Sequence, residues 1–93
     1  MKVVLSGALL RFADYSKEVD ITAPTFADCI AQLTTKFPQL KPVLLDSDGG
    51  VRQTHQLFLN GEQMTRDQRA LGAAPVLVAD GDTLFILTAV AGG

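Results

Sequence analysis

The chain has 93 residues, a hydrophobic share of 47% and a formal net charge of −2, which together indicate one folded domain over residues 1–93. Its eight basic residues are scattered and outnumbered by ten acidic ones. This pattern argues against nucleic acid binding, which clusters Lys and Arg against phosphates. The apolar stretches are too short to span a membrane, and one cysteine forms no internal disulfide. We therefore expect a cytoplasmic protein with neither nucleic acid nor membrane as partner.

Alternating apolar residues predict an antiparallel hairpin at the start of the chain. The apolar stretch Val3–Leu10 is expected to form a strand, and the strand region continues to Phe12. A polar turn around Asp14–Lys17 follows. Val19 and Ile21 then alternate with charged and polar neighbours, which is the period of a half-buried strand.

One helix is predicted over about residues 25–37. Thr25 is a suitable N-cap, and Asp28 three residues later completes a pattern like a capping box near the positive end of the helix dipole. Pro38 ends the helix, because the residue before a proline is pushed out of the α region. The apolar face of the helix consists of Phe26, Cys29, Ile30, Leu33 and Phe37.

The middle of the chain predicts a helical turn at Leu40–Leu45, a loop at residues 46–50 and then a β-hairpin. Gln56–Leu59 has the composition of a strand and leads into Asn60-Gly61, the strongest short hairpin signal. A short return strand is expected at Glu62–Met64.

The last third predicts an irregular stretch from Thr65 to Pro75, a turn at residues 80–82 and a buried strand at Thr83–Leu87. Only small or short side chains remain in residues 88–93, which we expect to form a flexible tail ending in Gly92-Gly93. Strands, one helix and returning strands in this order predict an α+β fold, a mixed sheet with one helix packed across one face.

Three candidate sites are better explained by structure than by chemistry. Cys29 lies on the apolar helix face, where a free cysteine behaves as a small hydrophobe. His55 has no second histidine or neighbouring cysteine to complete a zinc site and is expected to be an ordinary surface residue. Asp46-x-Asp48-Gly49 begins like a calcium loop, but the twelfth position is Leu57 instead of a bidentate glutamate. The glycines form no nucleotide-binding fingerprint. We therefore expect no catalytic residue, no metal and no bound cofactor.

The sequence Ala89-Val90-Ala91-Gly92-Gly93 is more informative. Chain ends usually fray, and a terminal Gly-Gly alone is weak evidence of function. Glycines without Cβ can, however, thread a narrow channel and deliver a terminal carboxylate to an active site on another protein. A strand directly before the tail strengthens this second interpretation.

The chain resembles the ubiquitin-like β-grasp sulfur carriers of the ThiS, MoaD and CysO type, and among these it is most similar to CysO-like carriers. The resemblance follows the element order along the whole chain. It is sharpest in Val78–Leu84, which holds an Asp-Gly-Asp turn, and in Ile86–Gly93, which holds the last strand and the di-glycine. Leu57–Asn60 is similar to the third strand of that family. The resemblance implies a β-grasp fold with four to five strands.

The resemblance also implies a mechanism. An activating partner of the ubiquitin-activating type would use ATP and Mg to adenylate the Gly93 carboxylate, and a sulfur donor would then convert it to a thiocarboxylate. Ala89, Val90, Ala91 and Gly92 would thread the partner's active site. A downstream synthase would take the sulfur, so the chain would be a co-substrate and not an enzyme.

A surface for these partners is predicted on the open face of the sheet. Strand alternation puts Leu84 and Ile86 on one face and Phe85 and Leu87 on the other, while Leu57 and Leu59 alternate with Phe58. If the leucine and isoleucine positions face the helix, then Phe58, Phe85 and Leu87 form an exposed apolar patch near the tail. The alternative is the reverse, with the phenylalanines in the core.

Two other functions remain open from the sequence. A ubiquitin-like protein modifier would use the same adenylate to form an isopeptide bond between Gly93 and a lysine. A binding module would use neither glycine. Nor does the sequence distinguish synthesis of cysteine, molybdopterin, thiamin or another sulfur-containing metabolite.

Overall fold

A five-stranded mixed sheet, with one long helix across one face, forms the body of the protein. The computed structural model describes residues 1–47, 49–70 and 75–88. The strands are β1 (Lys2–Leu5), β2 (Glu18–Asp20), β3 (His55–Leu59), β4 (Glu62–Gln63) and β5 (Thr83–Thr88). The α-helices are α1 (Phe26–Lys36), α2 (Lys41–Leu44) and α3 (Arg66–Arg69), and 3₁₀ turns lie at Gly7–Phe12 and Pro38–Leu40. The predicted α+β class and order of strands are confirmed.

The first and last of these strands are neighbours at the centre of the sheet. The strand order is β2-β1-β5-β3-β4, and β1 pairs with β5 in parallel while the other pairs are antiparallel. Leu5 lies opposite Ile86 on one side of β5, and Leu57 lies opposite it on the other. All three side chains are buried, so the register brings the apolar positions of three strands onto one face.

Helix α1 covers that face, as the sequence predicted. It begins after Thr25, whose hydroxyl accepts a hydrogen bond of 3.1 Å from the backbone N–H of Asp28. Its apolar residues join the sheet in one core, in which Phe26, Ile30 and Leu33 are at most 1% exposed. Burial of such side chains stabilises the fold by roughly 1.5–3 kcal/mol each. Among the described residues, the helices lack the length and apolar character that a membrane-spanning segment requires.

The predicted first strand is too long, because the chain turns after Leu5. Gly7 has φ +65°, a left-handed conformation that ends the strand, and residues 7–12 form a 3₁₀ turn. Leu9 points into the core and is fully buried, which explains its apolar character without a strand. A run of apolar residues does not distinguish these two structures.

The hairpin signal at Asn60-Gly61 is confirmed, since these residues have φ +53° and +87° and connect β3 to β4. The stretch expected to be irregular, by contrast, contains α3. Its capping box pairs the Thr65 hydroxyl with the Gln68 backbone N–H, and the Gln68 side chain with the Thr65 N–H. The spacing Thr-x-x-Gln was visible in the sequence and is the signal that predicts this helix.

Candidate functional site

An apolar strip runs across the sheet on the face opposite α1. Val4, Phe85 and Phe58 lie side by side in register on β1, β5 and β3, and Leu87 is on the same face of β5. Phe85 is 39% exposed, and the other three are half-buried. We term these four residues the apolar strip. Of the two arrangements that the sequence left open, the structure has the one in which Leu57, Leu84 and Ile86 are buried, whereas a role of the apolar strip in partner binding stays a prediction.

Val4 was missed by sequence reasoning, because its place beside Phe85 depends on parallel pairing between distant strands. Polar residues border the apolar strip. Glu18 lies opposite Val4 and forms an ion pair of 3.4 Å with Lys2, and Gln63 lies opposite Phe58. An apolar centre with a polar rim is the usual anatomy of a protein-binding surface.

The apolar strip ends where the described part of β5 ends. Thr88 follows Leu87 directly, so at roughly 3.3 Å per strand residue Phe85 lies about 10 Å from the end of β5. The predicted sulfur attachment residue Gly93 and the predicted threading residues 89–92 lie outside the described residues. In the sequence, four residues separate Leu87 of the apolar strip from Gly92.

The start of β5 is anchored by the Asp-Gly-Asp turn. The Asp82 carboxylate accepts hydrogen bonds from the Asn60 side chain (2.9 Å) and the Ala79 backbone (2.8 Å), and Asn60 accepts one from the Thr83 N–H (2.9 Å). These bonds, the one from Asn60 most of all, hold the pKa of Asp82 below its usual value. They tie β5 to the β3–β4 hairpin.

The expectation of a surface His55 is wrong. The side chain is 2% exposed because it occupies the first core-facing position of β3, two residues before Leu57. Its Nε2 lies 2.9 Å from the Val43 carbonyl and therefore donates to it. The alternation of His55 with Leu57 and Leu59 would have predicted its burial, but the polar residues around His55 suggested the surface instead. His55 pairs with Thr88, so it flanks the end of β5.

Arg69 is a second buried polar residue near the start of β3. Its guanidinium donates a hydrogen bond to the Arg52 carbonyl, which also accepts from the His55 backbone N–H at 3.1 Å. Burial lowers the pKa of this guanidinium from its ordinary value. Arg69 thus attaches α3 to the segment that leads into β3, and no sequence pattern predicts that contact.

As the sequence predicted, Cys29 is a buried core residue and a turn begins at Asp46. Burial raises the pKa of the Cys29 thiol to about 11, which keeps it protonated and a poor nucleophile. The backbone N–H of Gly49 donates to the Asp46 carbonyl at 3.1 Å and closes a turn, while Asp48 lies outside the described residues. Within the described ranges, no group of three or more His, Cys, Asp or Glu side chains could hold a metal ion.

Solved structures resemble the chain along nearly its whole length, although no protein-family model and no curated protein matches it. A chain of the Amycolatopsis orientalis BexX/CysO complex is 26% identical over 99% of this chain and 98% of its own, with a TM-score of 0.79. CysO from Mycobacterium tuberculosis is 23% identical over 96% and 98%, also at 0.79. The small archaeal modifier protein SAMP1 from Methanosarcina acetivorans is 26% identical over 99% and 94%, at 0.77.

The chain has the ubiquitin-like β-grasp fold. The resemblance to CysO-type proteins predicted from the sequence is confirmed, since CysO structures are among these neighbours. These neighbours are small ubiquitin-like carrier and modifier proteins, and the chain is similar to them over nearly its whole length. One of them was solved as a complex with a second protein, BexX.

Proposed function

We propose that this β-grasp chain is a sulfur carrier whose working group is the carboxylate of Gly93. The observation that carries the proposal is the position of β5. It bears Phe85 and Leu87 of the apolar strip, is anchored at its start by Asp82, and is followed after three further residues by Gly92-Gly93. A partner bound to the apolar strip would therefore meet Gly93 within the reach of five residues, at most roughly 17 Å beyond Thr88.

The proposed chemistry takes place on the partner. A carboxylate oxygen of Gly93 attacks the α-phosphorus of Mg-bound ATP, the bond to the β-phosphate oxygen breaks, and pyrophosphate leaves. Hydrosulfide then attacks the acyl carbon of the adenylate, and AMP leaves with the former carboxylate oxygen. The product is a thiocarboxylate, a soft nucleophile that a synthase uses to form a carbon–sulfur bond. The activating enzyme supplies the ATP and Mg, and the carrier binds no cofactor.

This role asks for no catalytic group from the carrier, so we propose that the chain is a co-substrate and not an enzyme. The similarity to CysO supports this assignment at the level of fold and general function. The apolar strip supports docking to both the activating enzyme and the synthase, because exposed apolar patches with polar rims are typical of interaction surfaces.

The intact mass of the protein tests the proposal. After incubation with a ubiquitin-activating-type enzyme of its own cell, MgATP and sulfide, we expect a mass increase equal to the exchange of one oxygen for one sulfur. The increase should map to Gly93 in the C-terminal peptide. The matched control lacks Gly93 and should keep its original mass, while ATP omission should abolish the change. Sulfur acquired by the shortened chain would overturn the assignment of Gly93.

The modifier function is the second candidate, because SAMP1 is by its name a modifier and is 26% identical to this chain. In that case the Gly93 adenylate is attacked by a lysine Nζ, AMP leaves and an isopeptide bond forms. Branched peptides that join Gly93 to lysine in digested lysates would favour this candidate. A lysate with the thiocarboxylate and no such peptides would exclude it in favour of the carrier.

The third function, a binding module with an incidental tail, makes the opposite prediction for truncation. Removal of Gly92 and Gly93 would leave its activity unchanged. A carrier or modifier loses all activity with the same change, since both react through the Gly93 carboxylate.

A further inference from the structure

Strand β2 forms one edge of the sheet, and among the described strands it has a neighbour on one side only. Two backbone hydrogen bonds define its pairing with the β1 segment: the Leu5 N–H donates to the Lys17 carbonyl at 2.8 Å, and the Ile21 N–H donates to the Met1 carbonyl at 2.9 Å. Residues of antiparallel strands exchange such bonds at every second position. The backbone N–H and carbonyl groups of Glu18 and Asp20 therefore point away from β1.

The outer side of β2 is both unpaired and acidic. In the described part of the chain, no hydrogen bond occupies the outward backbone groups of Glu18 and Asp20. Both side chains are exposed, while Val19 between them is buried against the core. Lys2 lies opposite Asp20 in the register but forms its ion pair with Glu18. An edge with free backbone groups is a template for pairing with another chain, and this one carries one more acidic than basic side chain.

A groove of about 400 Å³ lies between the end of β2 and α1, on the helix side of the sheet. It is lined mostly by apolar surface, from Ile21, Ala31, Gln32, Thr35 and Lys36. The four residues from α1 are exposed, and Ile21 extends the line of β2 by one residue. A strand added beside β2 would therefore have this groove under the side chains on its helix side.

We propose that the β2 edge binds an extended segment of a partner protein, which joins the sheet as an additional strand. Main-chain hydrogen bonds to Glu18 and Asp20 would supply affinity, and the side chains would supply specificity. Side chains on the helix side enter the apolar groove and are aliphatic, because Lys36 repels a basic group there. Side chains on the open face lie beside the two carboxylates and are Lys or Arg. The segment thus alternates aliphatic and basic residues.

The same charges argue against a second copy of this chain as the occupant. Pairing of two β2 edges would bring Glu18 and Asp20 of both copies together on one face, and like charges across paired strands are destabilising. A basic segment has the opposite effect. The inference does not depend on the reaction at Gly93. Because the apolar strip begins at Val4 on β1, a segment bound at β2 leaves the strip accessible, so the chain can bind two proteins at once.

Titration of the isotope-labelled full chain with a short, end-blocked peptide of alternating valine and lysine tests the proposal by NMR. The amides of Glu18, Asp20, Ala31 and Thr35 should shift until saturation, while that of Phe85 should not move. The matched peptide has the same composition with its valines and lysines in separate blocks, and it should bind about tenfold more weakly. Equal affinity for the two would mean general attraction between opposite charges and would overturn the proposal.

Backbone pairing is tested on the peptide itself, which leaves the folding of the protein untouched. In an extended peptide the N–H groups of the valines and of the lysines point to opposite edges. N-methylation of one set should therefore weaken binding about tenfold and methylation of the other set should have little effect. The sensitive set is the lysines if the segment is antiparallel to β2 and the valines if it is parallel. Equal affinities of the two methylated peptides would exclude strand addition.

Two pairs of variants test the groove and the carboxylates. Ala31→Arg fills the groove with a cation, and Ala27→Arg makes the same change on α1 outside the groove lining. The first should weaken binding of the alternating peptide about tenfold and the second should not. Asp20→Asn should weaken it about threefold, whereas Asp67→Asn on α3 should leave it unchanged. If each control weakened binding as much as its counterpart, net charge would explain the affinity and the β2 site would be refuted.

Discussion

Among individual residues, Cys29 makes the stability of this protein sensitive to alkaline pH. Burial raises the pKa of its thiol from 9.0 to about 11 in the folded chain. Folding therefore favours the protonated thiol, and this contribution is complete below pH 9 and declines as the pH rises toward 11. At about 1.4 kcal/mol per pKa unit, the loss should reach roughly 2 kcal/mol of the free energy of unfolding by pH 11.

Urea denaturation between pH 8 and about pH 11 measures this loss. Cys29→Ala is the control, since it keeps every other titrating group and removes the thiol. The variant should be less stable at neutral pH, because it leaves a cavity, but its stability should fall less steeply with pH. Parallel curves for the two proteins would contradict the assignment of the effect to Cys29.

The burial of individual side chains could be predicted from the sequence in some cases and not in others. Cys29 could be placed from its position in a helical repeat with Ile30 and Leu33. His55 could not be placed as easily, because its polar neighbours suggested the surface while its position two residues before Leu57 decided the burial. A buried histidine N–H also needs an acceptor, and the Val43 carbonyl that accepts from Nε2 comes from a different element.

Among the elements, α1 should depend measurably on its N-cap. Thr25→Ala removes the hydroxyl that accepts the Asp28 N–H, and we expect a loss of about 1 kcal/mol in the free energy of unfolding. Urea denaturation measures the loss. The control is Thr35→Ala on the exposed face of the same helix, where the hydroxyl bonds only to the Ala31 carbonyl one turn earlier. There alanine should be neutral or slightly stabilising, as the better helix former.

A loss of equal size in both threonine variants would mean that helix propensity, and not the cap, explains the effect.

Elements such as α1 are predictable from the sequence because a cap, a repeat of apolar residues and Pro38 all indicate the same helix. The 3₁₀ turn at Gly7–Phe12 was not predictable. A leucine at position 9 can be buried either from a strand or from a 3₁₀ turn, so its apolar character does not distinguish the two. Short elements depend on tertiary contacts that local patterns do not contain.

For the whole molecule, the apolar strip should determine partner binding. Phe85→Ala should raise the KM of the carrier for its activating enzyme about 30-fold, the effect of losing roughly 2 kcal/mol at a binding hot spot. The kcat at saturation should be unchanged, because the path from the strip to Gly93 is intact. Steady-state adenylation measures both constants.

Leu77→Ala is the matched control for the apolar strip. Leu77 is a large apolar residue that is 77% exposed, but it pairs with Thr25 at the start of α1 and lies outside the apolar strip. Its replacement should leave KM unchanged. If both substitutions raised KM equally, general surface hydrophobicity would explain binding better than the strip does.

Much of the apolar strip could be predicted from the sequence, because alternation along a strand determines which of its residues share a face. Alternation within Thr83–Leu87 put Phe85 and Leu87 on the same face, while the packing of the helix on the sheet decided which face is open. The membership of Val4 was not predictable, because it arises from the pairing of β1 with β5 across most of the chain. Residue spacing alone does not contain that pairing.

The central position of β5 also has a consequence for synthesis in the cell. During translation β1 is made before β5, its parallel neighbour, which is the last of the described strands along the chain. Until β5 leaves the ribosome, β1 and β3 each lack the partner that pairs with one of their edges, and chaperones and proteases act on such incomplete states. A chain cut short before Thr83 cannot close the sheet. Only chains that already contain β5, the strand preceding the di-glycine, can therefore complete the fold and escape degradation as incomplete chains.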